Sequence, residues 1–324
     1  MNTYIQMKYN QLYFLFFLNI IVLFAQSPNN KISKDSIKVI SLQEVMLTGI
    51  RANEYSPVTF TNVTREDLTP RNLGQDIPIL LNYLPGVVTT SDAGAGIGYT
   101  GIRVRGSDAT RVNVTINGIP YNDSESQGTF WVNLPDFASS VESIQLQRGV
   151  GTSSNGSAAF GASLNIETDA VQQKAFASIA SSLGSFSSLK NTLRFSTGKI
   201  SDGFSFSGRL SQINSDGYVD RATSNLDAYF FQGTYQNEST LIKALVFGGQ
   251  EITYQSWYGL DKVILSADRT YNPAGEIYDS NGTRTGFYDN QVDNYSQEHY
   301  QLHWNEQFNS KWNFILGLNY THGS

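Results

Sequence analysis

Phe204-Ser205-Phe206-Ser207-Gly208-Arg209-Leu210-Ser211 places Phe204, Phe206, Gly208 and Leu210 on one side and Ser205, Ser207, Arg209 and Ser211 on the other. Successive side chains of a strand point to opposite faces, so this period gives one apolar and one polar face. Residues 228–236 repeat the pattern, with Tyr229, Phe231, Gly233 and Tyr235 alternating with Phe230, Gln232, Thr234 and Gln236. Further on, Tyr300, Leu302 and Trp304 alternate with Gln301, His303 and Asn305. Trp312, Phe314, Leu316, Leu318 and Tyr320 make one face of another strand, and Leu189, Leu193 and Phe195 oppose Lys190 and Arg194. About seven strands are predicted, near 174–183, 188–198, 203–213, 227–236, 239–254, 295–308 and 312–321.

A soluble sandwich alternates too, so the connections decide. Those at 199–202, 237–238 and 309–311 are short, and those at 214–226 and 255–294 are long, with Tyr, Asp, Asn and Gly. Only the connection near 184–187 breaks the alternation of long and short. Short turns at one end and long loops at the other describe an outer-membrane barrel. Lipid makes outward Phe, Leu and Tyr cheap, a closed ladder satisfies the backbone without water, and the polar face lines the lumen. Seven strands leave two open edges. At roughly 22 residues per strand, a plugged barrel of ~22 strands needs well over ~440 residues, which predicts a piece truncated at its C-terminus.

Composition agrees. Of 324 residues, 15% are charged and 13% aromatic, with 19 Phe, 18 Tyr and 4 Trp. That is neither the charge-rich, aromatic-poor make-up of a disordered chain nor, at net charge -6, the basic stripe of a nucleic-acid binder. Zero cysteine excludes disulfides, thiolate metal sites and Cys nucleophiles.

The N-terminus reads as an address. Residues 1–10 carry one cation, Lys8, and no acid; residues 12–24 are apolar except Asn19. Thirteen residues are too few to span a bilayer as a helix but suit the apolar region of a secretory signal. Cleavage is expected after Ala25, giving a signal peptide over 1–25 and a linker from residue 26. Residues 49–170 have mixed periodicity and read as a small α+β domain. A short helix is expected over 75–84, with Asp76 as N-cap, Pro78 in the first turn and Pro85-Gly86 as the stop. Val112–Ile116 runs into Asn117-Gly118 and Ile119, the strongest short hairpin signal. Residues 141–146 read as a further strand.

Five motifs follow one another: Ser41-Leu42-Gln43-Glu44-Val45-Met46-Leu47-Thr48; Ile102-Arg103-Val104-Arg105-Gly106; Arg111-Val112-Asn113-Val114-Thr115-Ile116-Asn117-Gly118-Ile119-Pro120; Val141-Glu142-Ser143-Ile144-Gln145-Leu146-Gln147-Arg148-Gly149; and Ala159-Phe160-Gly161-Ala162-Ser163-Leu164-Asn165-Ile166-Glu167-Thr168. The succession resembles the N-terminal region of TonB-dependent outer-membrane receptors of the siderophore or ferric-chelate type. The resemblance implies an α+β plug domain followed by antiparallel transmembrane β-barrel strands, an incomplete part of a 22-stranded barrel. Residues 171–324 would be its first seven or so strands. It further implies that Leu42, Gln43, Glu44, Val45, Met46, Leu47 and Thr48 form a TonB box, which pairs by edge-strand addition with the periplasmic C-terminal domain of TonB. Arg105 and Arg148 resemble the arginines that lock the plug to barrel glutamates, and a guanidinium in a polar lumen requires such partners.

Ligand contact is expected from the loops at 92–99 and 122–131. There Tyr99, Tyr121, Phe130 and Trp131 offer flat amphipathic area, and Asp123, Glu125 and Gln127 offer polar readout. Gly96-Ile97-Gly98-Tyr99-Thr100-Gly101 matches a dinucleotide fingerprint, but a strand rather than a helix follows it. His299 and His303 share a strand face about 13 Å apart, too far to ligate one metal. No catalytic grouping is found, and no cofactor is expected. The resemblance thus implies TonB-dependent uptake of a ferric siderophore or iron–citrate complex across the outer membrane, with outer-membrane lipid, TonB and a small iron chelate as partners. The alternatives are a cobalamin receptor, a SusC-like glycan receptor and a passive porin or structural barrel. Residues 26–43 leave no room for the β-sandwich that usually marks the glycan receptors or for a signalling domain, and a porin needs no plug or box.

Overall fold

The computed structural model describes residues 50–150, 160–200 and 203–324, and every count below refers to those residues. The expected signal peptide and the TonB-box segment lie outside them.

The first region runs β1 (Thr59–Thr64), α1 (Arg65–Leu68), α2 (Ile77–Leu80), β2 (Val87–Ser91), β3 (Thr100–Val104), β4 (Val112–Ile116), β5 (Ile119–Pro120), β6 (Val141–Arg148) and β7 (Ala162–Thr168). Five strands form a sheet in the order β1-β6-β7-β4-β5, and β2 and β3 pair as a separate ribbon. β4 and β7 run parallel. All five residues of β4 are buried, as are six of seven in β7, so these central strands are covered on both faces. Their polar members pair inside, as where the Thr115 hydroxyl donates to Asn165 Oδ1 at 2.8 Å. Leu81, Ile116, Trp131, Phe137, Ile144, Leu164 and Ile166 fill the core.

The Asn-Gly hairpin forms where expected. Asn117 and Gly118 both have positive φ, at 52° and 82°, as a type I′ turn requires, and Ile116 pairs with Ile119. The predicted helix over 75–84 shrinks to the four residues of α2. Asp76 holds the N-cap position in extended backbone, but its carboxylate caps nothing. It reaches across to accept the Thr100 hydroxyl of β3 at 2.8 Å. After Gly101 the chain stays in β3, so the glycine-rich run opens no helix.

The second region is an antiparallel meander. It contains β8 (Phe176–Leu183), β9 (Leu189–Ser196), β10 (Phe204–Ser215), β11 (Ser224–Gln236) and β12 (Thr240–Tyr254). After α3 (Lys262–Ala267) and the β13 (Glu276–Tyr278) and β14 (Arg284–Phe287) ribbon come β15 (Val292–Gln307) and β16 (Asn313–Gly323). The seven long strands lie in the order β16-β15-β12-β11-β10-β9-β8, and the sheet does not close. All seven predicted strands are present within a few residues of their expected ends.

The wall is inside out. Its covered face is polar, with Thr192, Ser207, Arg209, Gln232, Thr234, Gln301 and Asn305 all buried. Its bare face is apolar, with Ile179, Leu193, Phe204, Leu210, Trp304 and Leu318 exposed. Register aligns the faces across strands: Leu210 sits opposite Leu193 and Tyr229, and Ser211 opposite Thr192 and Ala228. The covered face is occupied by the first region. Phe230, Leu245 and Phe247 of the wall complete that region's core around Phe137, whose ring centroid is 5.1 Å from Phe247 and 6.3 Å from Phe230.

Candidate ligand recess and plug anchor

Two sites lie where the first region meets the wall. One is a recess of about 460 Å³. Its inner side comes from the loop after β2 and the loop after β5, through Tyr99, Tyr121, Asp123 and Phe130. Its outer side comes from β12, β15 and β16, including Glu251, Asp293, Gln297 and His299. Tyr121 follows the tight hairpin, and its main-chain N–H donates to Val114 O at 2.9 Å, which fixes where its ring points. The ring tilts against His299 at 5.1 Å between centroids, and the hydroxyl donates to Gln297 Oε1 at 3.2 Å. Tyr99 donates to Asp293 Oδ2 at 2.9 Å and lies 3.4 Å from Glu251 Oε1. Burial first, then the two carboxylates, push the Tyr99 hydroxyl well above its ordinary range, so it stays a donor.

Four of the seven residues expected to meet ligand therefore share this recess. Glu125 and Gln127 are exposed on the 122–131 loop but do not line it. Trp131 is a correction: it is buried in the core with Val104 and Phe137, because the short 3-10 turn at Trp131–Asn133 rolls its indole inward. Asp123 serves its own loop, accepting the Ser126 N–H at 2.7 Å and the Glu125 N–H at 3.1 Å. These bonds, Ser126 foremost, hold its carboxyl below the usual range. His299 and His303 sit on the covered face, as their alternation implied. Glu251 and Asp293 were not singled out in the sequence, where each is one polar residue among many on an alternating strand.

The second site is an anchor centred on Asp136. The residue takes a left-handed conformation, φ 50°, at the head of a 3-10 turn. That aims its buried carboxylate at the wall. Lys190 Nζ of β9 lies 2.6 Å from Oδ1, and Arg209 Nη1 of β10 lies 3.6 Å from Oδ2. The cross-strand pair Thr192 and Ser211 each donates to Oδ2 at 2.6 Å. Ser139, at 2.5 Å, and Asn72, at 3.2 Å, donate to Oδ1. Arg209 also donates to the main-chain oxygens of Pro135 and Asp136. Burial alone would raise this carboxyl. The charges of Arg209 and Lys190, with the Lys190 and Ser139 bonds, outweigh burial and hold it at about 2. Nearby, Arg194 of β9 and Arg65 of α1 share Asp169.

The expected arginine lock looks different. Arg105 and Arg148 are neighbours, Arg105 Nη1 lying 3.5 Å from Arg148 O, and Arg148 donates to Thr61 at 2.8 Å. Neither has a carboxylate partner among the described residues. Burial and then the Arg105 charge lower the Arg148 pKa. In the described residues the plug supplies the acid and the wall the cations.

A domain seated on the polar face of a seven-stranded wall whose other face is apolar has the arrangement of part of a plugged barrel. Residues 52–163 match the model of the TonB-dependent Receptor Plug Domain. Among curated proteins, the vitamin B12 transporter BtuB of Vibrio cholerae serotype O1 is 29% identical over 146 residues, which is 44% of this chain and 23% of the transporter. Solved structures similar to it include the ferric citrate transporter FecA, unliganded, with TM-score 0.63 and 18% identity over 83% of this chain and 40% of that one. The ferric-catecholate import receptor Fiu of E. coli K12 gives TM-score 0.62 and 14% identity, over 83% and 39%. The siderophore receptor PirA of Acinetobacter baumannii gives 0.59 and 19%, over 82% and 40%. Residues 52–163 thus match the plug domain of the TonB-dependent receptors, and the wall strands that follow share the fold of these solved structures. Those relatives are named as receptors and transporters, and the chain spans less than half of their length.

Proposed function

We propose that this chain is the plug and first wall of a receptor that takes up a scarce small nutrient across the outer membrane by TonB-driven transport. A ferric chelate is the preferred cargo. The observation that carries the reading is the recess at the plug–wall junction, with Tyr99, Tyr121 and Phe130 on one side and wall groups on the other. Plug residues that line a ligand site let a pull on the plug change that site. Residues 42–48 are proposed as the segment that TonB grips, since added-strand pairing uses the backbone and tolerates varied side chains. Arg105 and Arg148 remain proposed lock residues, and the Asp136 anchor is a separate tie between plug and wall. A signal peptide over 1–25 would deliver the chain to the outer membrane.

Val45→Pro in the complete receptor tests the coupling. Proline removes a ladder N–H, so uptake should fail while ligand binding persists. Unchanged uptake would reject residues 42–48 as the coupling segment. A second reading, a cobalamin cargo, is favoured by the similarity to the Vibrio cholerae vitamin B12 transporters. Growth of a gene deletion on ferric chelates as sole iron source, against growth on limiting cobalamin, separates the two.

A further inference from the structure

The loop joining β10 to β11, residues 216–223, is tied to the plug on one side and to the long loop after β12 on the other. Both sheet neighbours of these strands, β9 and β12, are described, so the junction lies away from the open edges of the wall. On the plug side, the consecutive main-chain N–H groups of Tyr218 and Val219 both donate to Ala93 O, at 2.7 and 3.2 Å. Gly94, at φ 74°, lies against Tyr218, and a Cβ there would meet Tyr218 Cβ at 2.9 Å, so the plug loop fits only without a side chain at that position. On the far side, the next N–H, that of Asp220, donates to Thr270 O at 2.8 Å. Buried Asn272 donates its amide to Asp220 O and to Gln255 O, each at 3.0 Å, and its Oδ1 accepts the Ala274 N–H at 3.0 Å. Arg221 donates to Asn272 O and places its guanidinium 3.5 Å from the centroid of the Phe287 ring. The ends of residues 216–223 are held elsewhere, by Asp216 N–H on Phe186 O at 2.8 Å and by the Tyr254 N–H on Thr223 O at 2.9 Å. The base of the long loop is held by the wall itself, through the Tyr254 hydroxyl on Tyr288 O at 2.7 Å and the Gln255 N–H on Gln291 O at 2.9 Å.

We infer that residues 216–223 are a relay that latches the arm at 268–273 of the long loop to the plug, so that displacing the plug loop at 92–98 unlatches the arm. The middle of the relay has the plug on one side and the arm on the other, and three successive peptide groups make the joints. Ala93 cannot leave without stripping two of those groups of their acceptor. The relay then keeps its ends but loses what fixes its middle, and the register of Asp220 on Thr270 and Asn272 goes with it. A loop held by a few main-chain bonds opens at far lower cost than a core strand. The base of the long loop, pinned by Tyr254 and Gln255, stays in place. Asn272 and Arg221 act as positioning residues, since they set where the arm lies relative to the relay. The use of the latch rests on the uptake reading above: a pull that shifts the plug would also loosen part of the loop over it.

The test is amide hydrogen exchange of the complete receptor in detergent, read on peptides covering 216–223 and 268–275, with β7 as the control that the plug is folded. Gly94→Val drives a side chain into Tyr218 and should speed exchange about tenfold or more in both peptides. Asn272→Ala breaks the far joint alone, so it should speed 268–275 and leave 216–223 within about twofold of the parent. Tyr218→Ala is a milder change at the near joint and should speed both peptides about threefold. It decides the matter if Gly94→Val leaves β7 unprotected. Faster exchange at 216–223 with 268–275 unchanged in the near-joint variants, or no change in either peptide, would overturn the relay. Those results would leave the uptake reading standing, because Val45→Pro tests it separately.

Discussion

The plug and the wall solve opposite solvent problems with one chain. In the plug, β4 and β7 bury every or nearly every residue, and the core is aliphatic and aromatic. In the wall, serines, threonines and arginine are buried while phenylalanines and leucines are bare. Neither pattern makes sense in the other's place. A wall with that outer face would aggregate in water, and a plug with the wall's pattern would have no core. Burial alone therefore does not say which residues are the core. What matters is which phase lies on each side: protein covers the inner face, and on the proposed reading lipid covers the outer one.

The largest expected break in that comparison is at the anchor. Asp136→Ala should cost ~3–5 kcal/mol, because Lys190 and Arg209 stay buried without their counter-charge. Loss of plug protection against trypsin in the complete receptor would report it. Adding Lys190→Met and Arg209→Met should recover much of the loss, since a buried pair replaced by apolar groups is often neutral. Phe137→Ala, at the joint core with Phe230 and Phe247, should cost ~3–4 kcal/mol by the same assay.

A charge on the bare face is next. Leu210→Arg should cost ~2 kcal/mol or more when refolding into lipid vesicles is followed. The same substitution one residue on, Ser211→Arg, should instead disturb the anchor, since Ser211 donates to Asp136.

Smaller effects come from two plug carboxyls that titrate in opposite senses. Asp136 is depressed from 3.8 to about 2, so its stabilisation is full above 3.8 and is lost as pH falls through about 2. Asp76 is raised from 3.8 to about 8, by burial first, against the Thr100 bond and with help from the Glu251 charge. Its contribution is full below 3.8 and is lost as pH rises through about 8. Asp76→Asn should thus gain stability relative to the parent at pH 9 and not at pH 3, as read by chemical denaturation at the two pH values.

The strands of the wall were legible because unlike surroundings on their two faces impose strict alternation, and strict alternation is visible in a single sequence. Residues 204–211 announced both faces, and Lys190 and Arg194 were read on the polar side. Asn117-Gly118 was legible because few other residues accept two consecutive positive φ values. What stayed hidden depended on partners far apart in the chain. Asp136 meets Lys190 and Arg209 from 54 and 73 residues away, and nothing local marks it. Glu251 and Asp293 meet Tyr99 only through the register of β12 with β15. Trp131 was misread because an aromatic in a loop next to polar residues gives no hint of which way a 3-10 turn will roll it. Asp76 was expected to cap a helix, and Thr100 won its carboxylate instead.

Residues 1–324 hold no cysteine, so a thiol placed in the wall is unique among them. Leu210→Cys and Ser211→Cys, made singly in the complete receptor and labelled with a fluorophore, differ by one residue on β10. In vesicles whose lipids carry a quencher on the acyl chain, the label at 210 should be strongly quenched. The label at 211 should react slowly, being covered by the plug, and be quenched little. Equal quenching at both positions, or stronger quenching at 211, would contradict a wall that faces lipid outside and the plug inside.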